Sequence, residues 1–279
     1  MADQDMPIES AEDTIKRIFS SGDSTVGAEI THEFNRYSRL QEAKFPKPAR
    51  TRLIAVANQK GGVGKTTSTV NLAAALAQNG ARVLVIDMDP QGNCSTALGV
   101  RHESGEPSVY DVLEGRMSIA EVKRQCPDFS SLDVVPASID LSGAELEVAQ
   151  FENRNNLLNE AVQQFLRESN EHFDYVFVDC PPSLGLLVIN AMCAVREMLI
   201  PIQAEYYALE GLGQLINTIG LVQEHFNPIL TVSTMMVTMF DKRTLLSREV
   251  YNEVKSHYPS IVLDTTIPRT VKISEAPSF

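Results

Sequence analysis

A stretch of ten residues has the composition of a phosphate-binding loop: it runs from Asn58 to Thr67 and reads Asn-Gln-Lys-Gly-Gly-Val-Gly-Lys-Thr-Thr. Glycines let such a loop turn its backbone N–H groups toward an anion at the start of a helix. Lys65 would then reach the β- and γ-phosphates of a nucleotide, and the hydroxyl of Thr66 would bind Mg²⁺. We predict that the loop consists of Lys60, Gly61, Gly62, Val63, Gly64, Lys65, Thr66 and Thr67.

The loop departs from the common pattern G-x-x-x-x-G-K-[ST] in two respects. Gln59 occupies the first glycine position, and Lys60 adds a second cation beside it. The residues alone leave two interpretations of Lys60 open. It is either a spare surface charge or a side chain that contacts phosphate from elsewhere, including from a partner subunit.

Three carboxylates follow apolar runs that predict buried strands. Asp87 and Asp89 lie in Asp-Met-Asp-Pro-Gln-Gly, and Asp179 ends the run Phe-Asp-Tyr-Val-Phe-Val-Asp. In α/β folds the carboxyl ends of strands are where ligands bind. We expect Asp89 to orient an attacking water or to organise Mg²⁺ through water, and Asp87 and Asp179 to hold Mg²⁺ through water.

Strands and helices are predicted to alternate along the chain after residue 50. This alternation predicts an α/β fold with a doubly wound, mostly parallel sheet and helices on both faces. Apolar runs predict strands at 53–57, 82–86, 132–136, 173–180, 198–202 and 229–236 and a short extended run at 261–267, while helical patterns cover 68–78, two short segments within 108–123, 141–151, 157–166, 209–226 and 244–257.

Residues 1–50 have a different composition and are predicted to form a tail before a single α/β domain at 51–279. The tail alternates acidic, serine-containing and basic stretches and ends in Phe-Pro-Lys-Pro-Ala-Arg, which is typical of a linker. Two interpretations remain open: a mostly disordered extension, or helices at 9–19 and 28–40 that bind a partner.

The overall composition is that of an ordinary globular protein, with 43% hydrophobic and 22% charged residues. Neither a run of about 18 apolar residues nor a secretory signal is found, which predicts a cytoplasmic protein. A net charge of −12 argues against a protein that coats nucleic acid with its whole surface, so any DNA binding would use a local patch. Four scattered cysteines without a C-x-x-C pair are expected to be reduced thiols with packing roles.

Five ordered segments resemble those of the ParA/Soj group of chromosome- and plasmid-partitioning ATPases, within the deviant-Walker class that includes MinD. The resemblance covers about residues 52–279. Its segments are Lys60-Gly-Gly-Val-Gly-Lys-Thr-Thr67, Asp87-Met-Asp-Pro-Gln-Gly92, Asp179-Cys-Pro-Pro-Ser183, Glu205-Tyr-Tyr-Ala-Leu-Glu-Gly211 and Ile267-Pro-Arg269 with Ser274-Glu-Ala-Pro-Ser278.

The resemblance implies an ATPase that uses ATP and Mg²⁺ and forms a homodimer when ATP binds. In that dimer Lys60 would be the signature lysine that reaches the partner's phosphates, and Asp89 would orient the water. Pro268 and Thr270 match the adenine contacts. A ParB-type partner would stimulate slow hydrolysis, and the ATP dimer would bind nucleoid DNA without sequence preference. The matching basic positions are Arg243, Lys272 and, more weakly, Arg269.

Two other classes remain as alternatives. A MinD-like ATPase at a membrane surface would need a C-terminal amphipathic helix. An electron-transferring ATPase similar to nitrogenase reductase would need cysteines for an iron–sulfur cluster, and the sequence around Cys126 and Cys180 lacks the expected motifs. Members of the ParA/Soj group continue with a further helical segment where this sequence stops at Phe279, so we expect the sequence to be either a truncated product or a fragment. Loss of that segment would be expected to affect DNA binding more than the other inherited properties. No stable membrane association is expected.

Overall fold

The computed structural model describes residues 45–206, 208–271 and 273, together with Thr31 and Asn35. The predicted tail helix at 9–19 and nearly all of that at 28–40 lie outside the described residues, so the division at residue 50 stays a prediction. The description below concerns the compact unit that begins at Lys47.

A seven-stranded sheet forms the centre of this unit, in the order β3-β4-β2-β5-β1-β6-β7. Every neighbouring pair is parallel except β3 and β4, which are antiparallel. The predicted doubly wound, mostly parallel sheet is therefore confirmed. The strands are β1 Arg52–Val56, β2 Val83–Asp87, β3 Arg124–Gln125, β4 Leu132–Val135, β5 Tyr175–Asp179, β6 Glu197–Gln203 and β7 Thr231–Thr238.

Nine helices are assigned within the described part of this unit. They are α1 Lys65–Gln78, α2 Asn93–Ala97, α3 Val109–Leu113, α4 Ile119–Val122, α5 Leu141–Val148, α6 Leu157–Glu168, α7 Leu186–Ala194, α8 Ala208–His225 and α9 Leu245–His257. None of these is long and apolar enough to cross a membrane, as far as the described residues extend.

Both faces of the sheet are buried, which explains why central strands such as β2 are mainly apolar on both sides. Along β2, Leu84 and Ile86 belong to one hydrophobic cluster, whereas Val83 and Val85 belong to another. Successive side chains of a strand point to opposite faces, so the two clusters are the two layers of core between sheet and helices. Because the central strands are parallel, their carboxyl ends lie at the same edge of the sheet.

Some elements differ from the sequence-based prediction. The helix α7 was not predicted, because its residues are apolar almost all round and show no helical period. The prediction also missed α2 and the two-residue strand β3, which are too short for a periodic pattern. The run at 261–267 is not a strand: it contributes an isolated bridge from Val262 to Met235, and Pro268 bridges Phe240.

Candidate functional site

The predicted phosphate-binding loop lies between the end of β1 and the start of α1. Gly62 and Gly64 adopt φ values of 72° and 90°, a region that favours glycine. Between them the side chain of Val63 is buried, and its carbonyl accepts a hydrogen bond of 2.8 Å from the Thr238 hydroxyl at the end of β7. The loop is therefore attached to two strands that are not adjacent in the sheet.

Lys65 is the first residue of α1 and is only 6% exposed. Its Nζ donates to the backbone carbonyl of Lys60 at 3.3 Å, so the side chain curls back over the loop. Burial lowers the pKa of Lys65, while the charges of Asp179, Cys180 and Asp89 oppose that shift. A buried ammonium inside a loop of backbone N–H groups favours an anionic ligand.

Asp179, at the end of β5, lies directly behind the start of α1. Its Oδ2 accepts a hydrogen bond of 2.7 Å from the Thr66 hydroxyl, and its Oδ1 accepts one of 2.9 Å from Thr69. Burial and, to a smaller extent, the charge of Asp87 raise the pKa of Asp179 to about 7, although both hydroxyls oppose the shift. The carboxylate therefore orients the Thr66 hydroxyl, as expected behind a Mg²⁺ ligand.

The hard oxygen donors of this site fit Mg²⁺ better than a softer metal. Within the described residues, no three His, Cys, Asp or Glu side chains are grouped so that they could hold a metal alone. In nucleotide enzymes Mg²⁺ is usually shared by one or two protein ligands and the phosphates of the substrate.

Asp87 is paired with Asp179 in the register of β2 and β5 and is fully buried. Its Oδ1 accepts from the backbone N–H of Asp89 at 3.1 Å, and its Oδ2 accepts from the N–H and hydroxyl of Ser95 at 2.9 and 2.7 Å. Burial raises the pKa of Asp87 to about 6. The carboxylate thus holds the loop that carries Asp89.

Asp89 is nearly buried, and its Oδ1 accepts the N–H of Gln91 at 3.0 Å. Gly92, later in the same loop, has φ of 62°, and a Cβ at this position would lie 2.6 Å from the ring of His102. The positive φ favours glycine at residue 92, and a larger side chain would also displace the ring of His102.

Lys60 lies at the rim of the site and forms an ion pair within its own chain. Its Nζ is 3.0 Å from Oε2 of Glu205, which follows β6. Its backbone N–H donates to Oδ1 of Asn58 at 3.0 Å. The second cation of the loop is therefore paired with a carboxylate from a neighbouring strand end.

The segment predicted to contact adenine lies beside the end of β7. The N–H of Ile267 donates to the carbonyl of Val237 at 2.8 Å, and the N–H of Arg269 donates to the carbonyl of Phe240 at 3.3 Å. These bonds place Pro268 and Thr270 at the same edge as the loop. Pro268 is exposed and Thr270 is half-buried.

The three basic residues proposed for DNA contact have different surroundings. Arg269 lies 3.9 Å from Oε1 of Glu205, near Lys60. Arg243 is 86% exposed and pairs with both carboxylate oxygens of Asp241, at 2.9 and 2.8 Å. Lys272 lies outside the described residues. Arg269 therefore lies near Glu205 and Lys60 at the rim of the loop, whereas Arg243 is paired with Asp241.

The four cysteines are buried and unpaired, in agreement with packing roles. Burial raises the pKa of the Cys94, Cys180 and Cys193 thiols, which disfavours their thiolates. These cysteines are therefore part of the core on both sides of the sheet.

Several polar residues of the site were not singled out from the sequence. They share a simple signal: a polar side chain at or just after the end of an apolar strand, or in the turn or helix that follows it, on the edge where α/β folds bind ligands. They are Asn58, Thr69, Ser95, Gln203, Glu205 as an individual residue, and Thr238.

Comparison with known proteins finds similar sequences among partitioning proteins. A family model described as an AAA domain matches residues 51–232. The chromosome partitioning protein ParA of Caulobacter vibrioides is 47% identical over 230 residues, 82% of this chain and 84% of that protein. The sporulation initiation inhibitor protein Soj of Bacillus subtilis is 47% identical over 227 residues, 81% of this chain and 88% of that protein.

Solved structures resemble the fold closely. Cobyrinic acid a,c-diamide synthase from Mycobacterium smegmatis, with a bound ATP analog and magnesium, has a TM-score of 0.72 at 38% identity and covers 82% of this chain and 92% of that one. A putative plasmid partition protein from Borrelia burgdorferi bound to AMPPNP has a TM-score of 0.70 at 24% identity, covering 82% and 89%, and supports the fold alone. The chain belongs to the ParA/Soj family of P-loop ATPases.

Proposed function

We propose that this protein is a Mg²⁺-dependent DNA-partitioning ATPase whose ATP-bound dimer binds nucleoid DNA. The observation that carries the ATPase assignment is the Thr66 hydroxyl held 2.7 Å from the buried carboxylate of Asp179, next to Lys65 and the glycine loop. That group of side chains provides a cation, a Mg²⁺ ligand and its supporting carboxylate at one strand edge.

The chain's own residues account for nucleotide binding. The N–H groups of residues 60–67 donate to the phosphates, and Lys65 exchanges the carbonyl of Lys60 for the β- and γ-phosphates. Thr66 ligates Mg²⁺, with Asp179 and Asp87 behind it. The ion, when bound, neutralises charge that develops on the phosphates. Pro268 and Thr270 contact adenine from the segment beside β7.

Hydrolysis then depends on Asp89 and Lys60. Asp89 lies on a loop held by Asp87 and orients the attacking water. Lys60 extends to the nucleotide of the partner subunit, where its charge stabilises the transition state as an arginine finger does. This requirement links dimer formation to ATP occupancy and keeps hydrolysis slow in the isolated subunit.

The partners follow from family membership and from surface charge. Relatives named as chromosome partitioning proteins support a role in segregation. Non-specific DNA contact is assigned to Arg243, Arg269 and Lys272, because phosphate contact requires little more than positive charge. A ParB-type protein stimulates hydrolysis and releases the dimer from the nucleoid in the cytoplasm.

Retention on DNA is the test of the switch. The full chain is incubated with random-sequence duplex DNA and ATP, ADP or no nucleotide, and the fraction of protein retained on the DNA is measured. In parallel, sedimentation velocity of the protein without DNA reports whether it is a monomer or a dimer under each condition. We expect a dimer and DNA retention with ATP only. Equal retention with ADP would contradict the switch. Retention on anionic liposomes but not on DNA would favour the MinD-like alternative.

A catalytic variant tests the role of Asp89 separately. Asp89→Ala removes the water-orienting carboxylate and its hydrogen bond from Gln91, while the bond from the backbone N–H of residue 89 to Asp87 remains. We expect this variant to accumulate the ATP dimer with turnover reduced at least about tenfold. Undiminished turnover measured by phosphate release would reject this assignment while leaving nucleotide binding intact.

A further inference from the structure

The carboxylate that pairs with Lys60 is held in place by its own strand. Glu205 follows β6, and its Oε1 accepts a hydrogen bond of 2.6 Å from Nε2 of Gln203, a nearly buried residue at the strand's last position. Its other oxygen, Oε2, is the one that contacts Lys60 at 3.0 Å. Both oxygens of Glu205 are therefore used at the rim of the site.

The lysine side of the pair is fixed as firmly. Asn58, directly beyond the buried end of β1, accepts the N–H of Lys60 on Oδ1 and donates through Nδ2 to the carbonyl of Pro201 in β6 at 2.8 Å. The strands β1 and β6 are neighbours in the sheet. The Lys60–Glu205 pair therefore joins two adjacent strand ends and is more than a chance contact of two long side chains.

Lys60 is also connected to the binding loop itself. Its carbonyl accepts Nζ of Lys65 at 3.3 Å, so its N–H, carbonyl and ammonium are all engaged within one subunit. Arg269 lies 3.9 Å from Oε1 of Glu205, the oxygen that also accepts from Gln203, which places a second cation near the same carboxylate. An incoming phosphate would compete with Glu205 for Lys60.

We infer that Glu205 is a positioning residue that holds the Lys60 ammonium within its own subunit and must release it before the lysine can reach a partner's nucleotide. This inference rests on the proposed function. A carboxylate beside Lys60 stabilises the separate subunit, and the same negative charge repels the partner's phosphates. Glu205 therefore raises the nucleotide concentration at which the dimer forms.

The size of the effect follows from the exposure of the pair. The side chains of Lys60 and Glu205 are 35% and 45% exposed, so solvent screens their attraction. Pairs of this kind shift an equilibrium by about 1.5- to 5-fold. Glu205→Gln keeps the size of the side chain and an oxygen for Gln203 but removes the charge.

The chain offers a matched control in Glu171. Its side chain is also 45% exposed and is paired with the cations Arg82 and Lys123, at 2.6 and 3.2 Å. It precedes β5 and so lies at the opposite, amino end of the parallel strands. Glu171→Gln removes the same charge from a similar pair without touching the site.

The first measurement uses the nucleotide-free full chain. Surface amines are reductively methylated with formaldehyde, and the rate at Lys60 is followed by peptide mass spectrometry. A paired ammonium is shielded, so we expect Glu205→Gln to label Lys60 about two- to fivefold faster, with no change in Glu171→Gln. An unchanged rate in Glu205→Gln would overturn the proposed pairing.

The second measurement is the midpoint of dimer formation during titration with AMPPNP and Mg²⁺, followed by sedimentation velocity. We expect the midpoint of Glu205→Gln to be about two- to fivefold below that of the wild type, Glu205→Asp to return toward the wild type, and Glu171→Gln to match it. Such a shift, with recovery by the charged variant, is not produced by a merely structural role.

The outcomes separate the two proposals. If the wild type dimerises and Glu205→Gln has an equal or higher midpoint, the role of Glu205 is wrong while the proposed function stands. If the wild type stays monomeric at saturating nucleotide, the proposed function fails, and the role of Glu205 in releasing Lys60 fails with it. Circular dichroism confirms that every variant is folded.

Discussion

Two aspartates in this molecule have opposite electrostatic surroundings. Asp179 is fully buried at the end of β5, and its pKa is raised to about 7, mainly by burial. Asp241 lies on an exposed loop after β7, where hydrogen bonds from Arg243 lower its pKa to about 2. Asp179 is thus a carboxylate whose burial destabilises its charged form, at the edge where Mg²⁺ is expected to bind. Asp241 is an exposed carboxylate whose charged form is stabilised by Arg243.

The difference shows how location determines the use of the same residue type. A carboxylate whose burial outweighs its favourable contacts destabilises the fold, and a bound Mg²⁺ would relieve that cost. The exposed pair of Asp241 and Arg243 is screened by solvent and contributes little in either state. Each prediction below changes one side of this comparison.

The largest effect is expected from Lys65→Ala. Lys65 is the buried cation beside Asp179 and the residue proposed to meet the phosphates, so its loss should lower ATP turnover by more than about 100-fold. Phosphate release and binding of a fluorescent ATP analogue measure the effect. Arg101→Ala, which removes an exposed cation paired with Glu103, is the control and should keep turnover near that of the wild type. Comparable turnover in both variants would contradict the proposal.

The next largest effect is expected from Asp179→Asn in the nucleotide-free protein. Because the folded pKa is raised above the ordinary 3.8, the native state holds its proton more tightly than the unfolded chain. The carboxylate's contribution to stability therefore falls as pH rises from about 4 to about 7 and stays low above that. The asparagine variant should be more stable than the wild type at pH 8, by on the order of 2 kcal/mol, and lose that advantage toward pH 4.

Urea unfolding at several pH values measures this difference. The advantage of Asp179→Asn should also disappear at saturating Mg²⁺ and nucleotide, since the wild-type carboxylate then supports the metal. An asparagine variant that is less stable than the wild type at pH 8 would show that burial does not dominate at this site.

A smaller effect is expected from Thr69→Val. The Thr69 hydroxyl is buried and donates to Asp179 at 2.9 Å, and valine has nearly the same shape. Its removal should destabilise the nucleotide-free fold at pH 8 by about 1 kcal/mol, because a buried carboxylate loses one of its hydrogen-bond donors. Thr66→Val removes a donor from the same carboxylate at a half-buried position, where water can replace it, and should cost less. Equal losses in urea unfolding would contradict this distinction.

The smallest effect is expected on the exposed side, from Asp241→Asn. Here the folded pKa is lowered, so the carboxylate's stabilising contribution is present above about pH 4 and is lost as pH falls toward 2, the opposite sign to Asp179. Solvent screens the pair, so the melting temperature at neutral pH should change barely measurably. A large loss would mean that the Arg243 loop contributes to stability, and would end the contrast with the buried edge.

Much of the fold was predictable because local patterns agree with the sheet. Runs such as 83–86 are apolar at every position, since a central parallel strand is buried on both faces. The helix α7 was missed for the same reason, because an element buried all round has no polar face to reveal its period. The run at 261–267 is apolar enough for a strand, yet only isolated residues of it bridge β7.

The chemistry of the site was partly predictable as well. Lys65, Thr66 and Asp179 were chosen from spacing and from strand ends, and the structure places them within one group. The contacts that Glu205 makes with Lys60 and Thr238 makes with Val63 were not predicted, because both residues lie far along the chain from the loop. The roles of the site residues remain predictions that the experiments above address.

The sequence by itself determined the residue types at the loop and at the strand ends, and with them the family and the α/β architecture. These features are local, since glycine spacing and apolar runs act through neighbours in the chain. Only the tertiary structure decided which charges meet: that Thr66 lies on Asp179, and that Lys60 pairs with Glu205, 145 residues away. Pairing over such a distance depends on strand order and register, which place separate strand ends at one edge of the sheet.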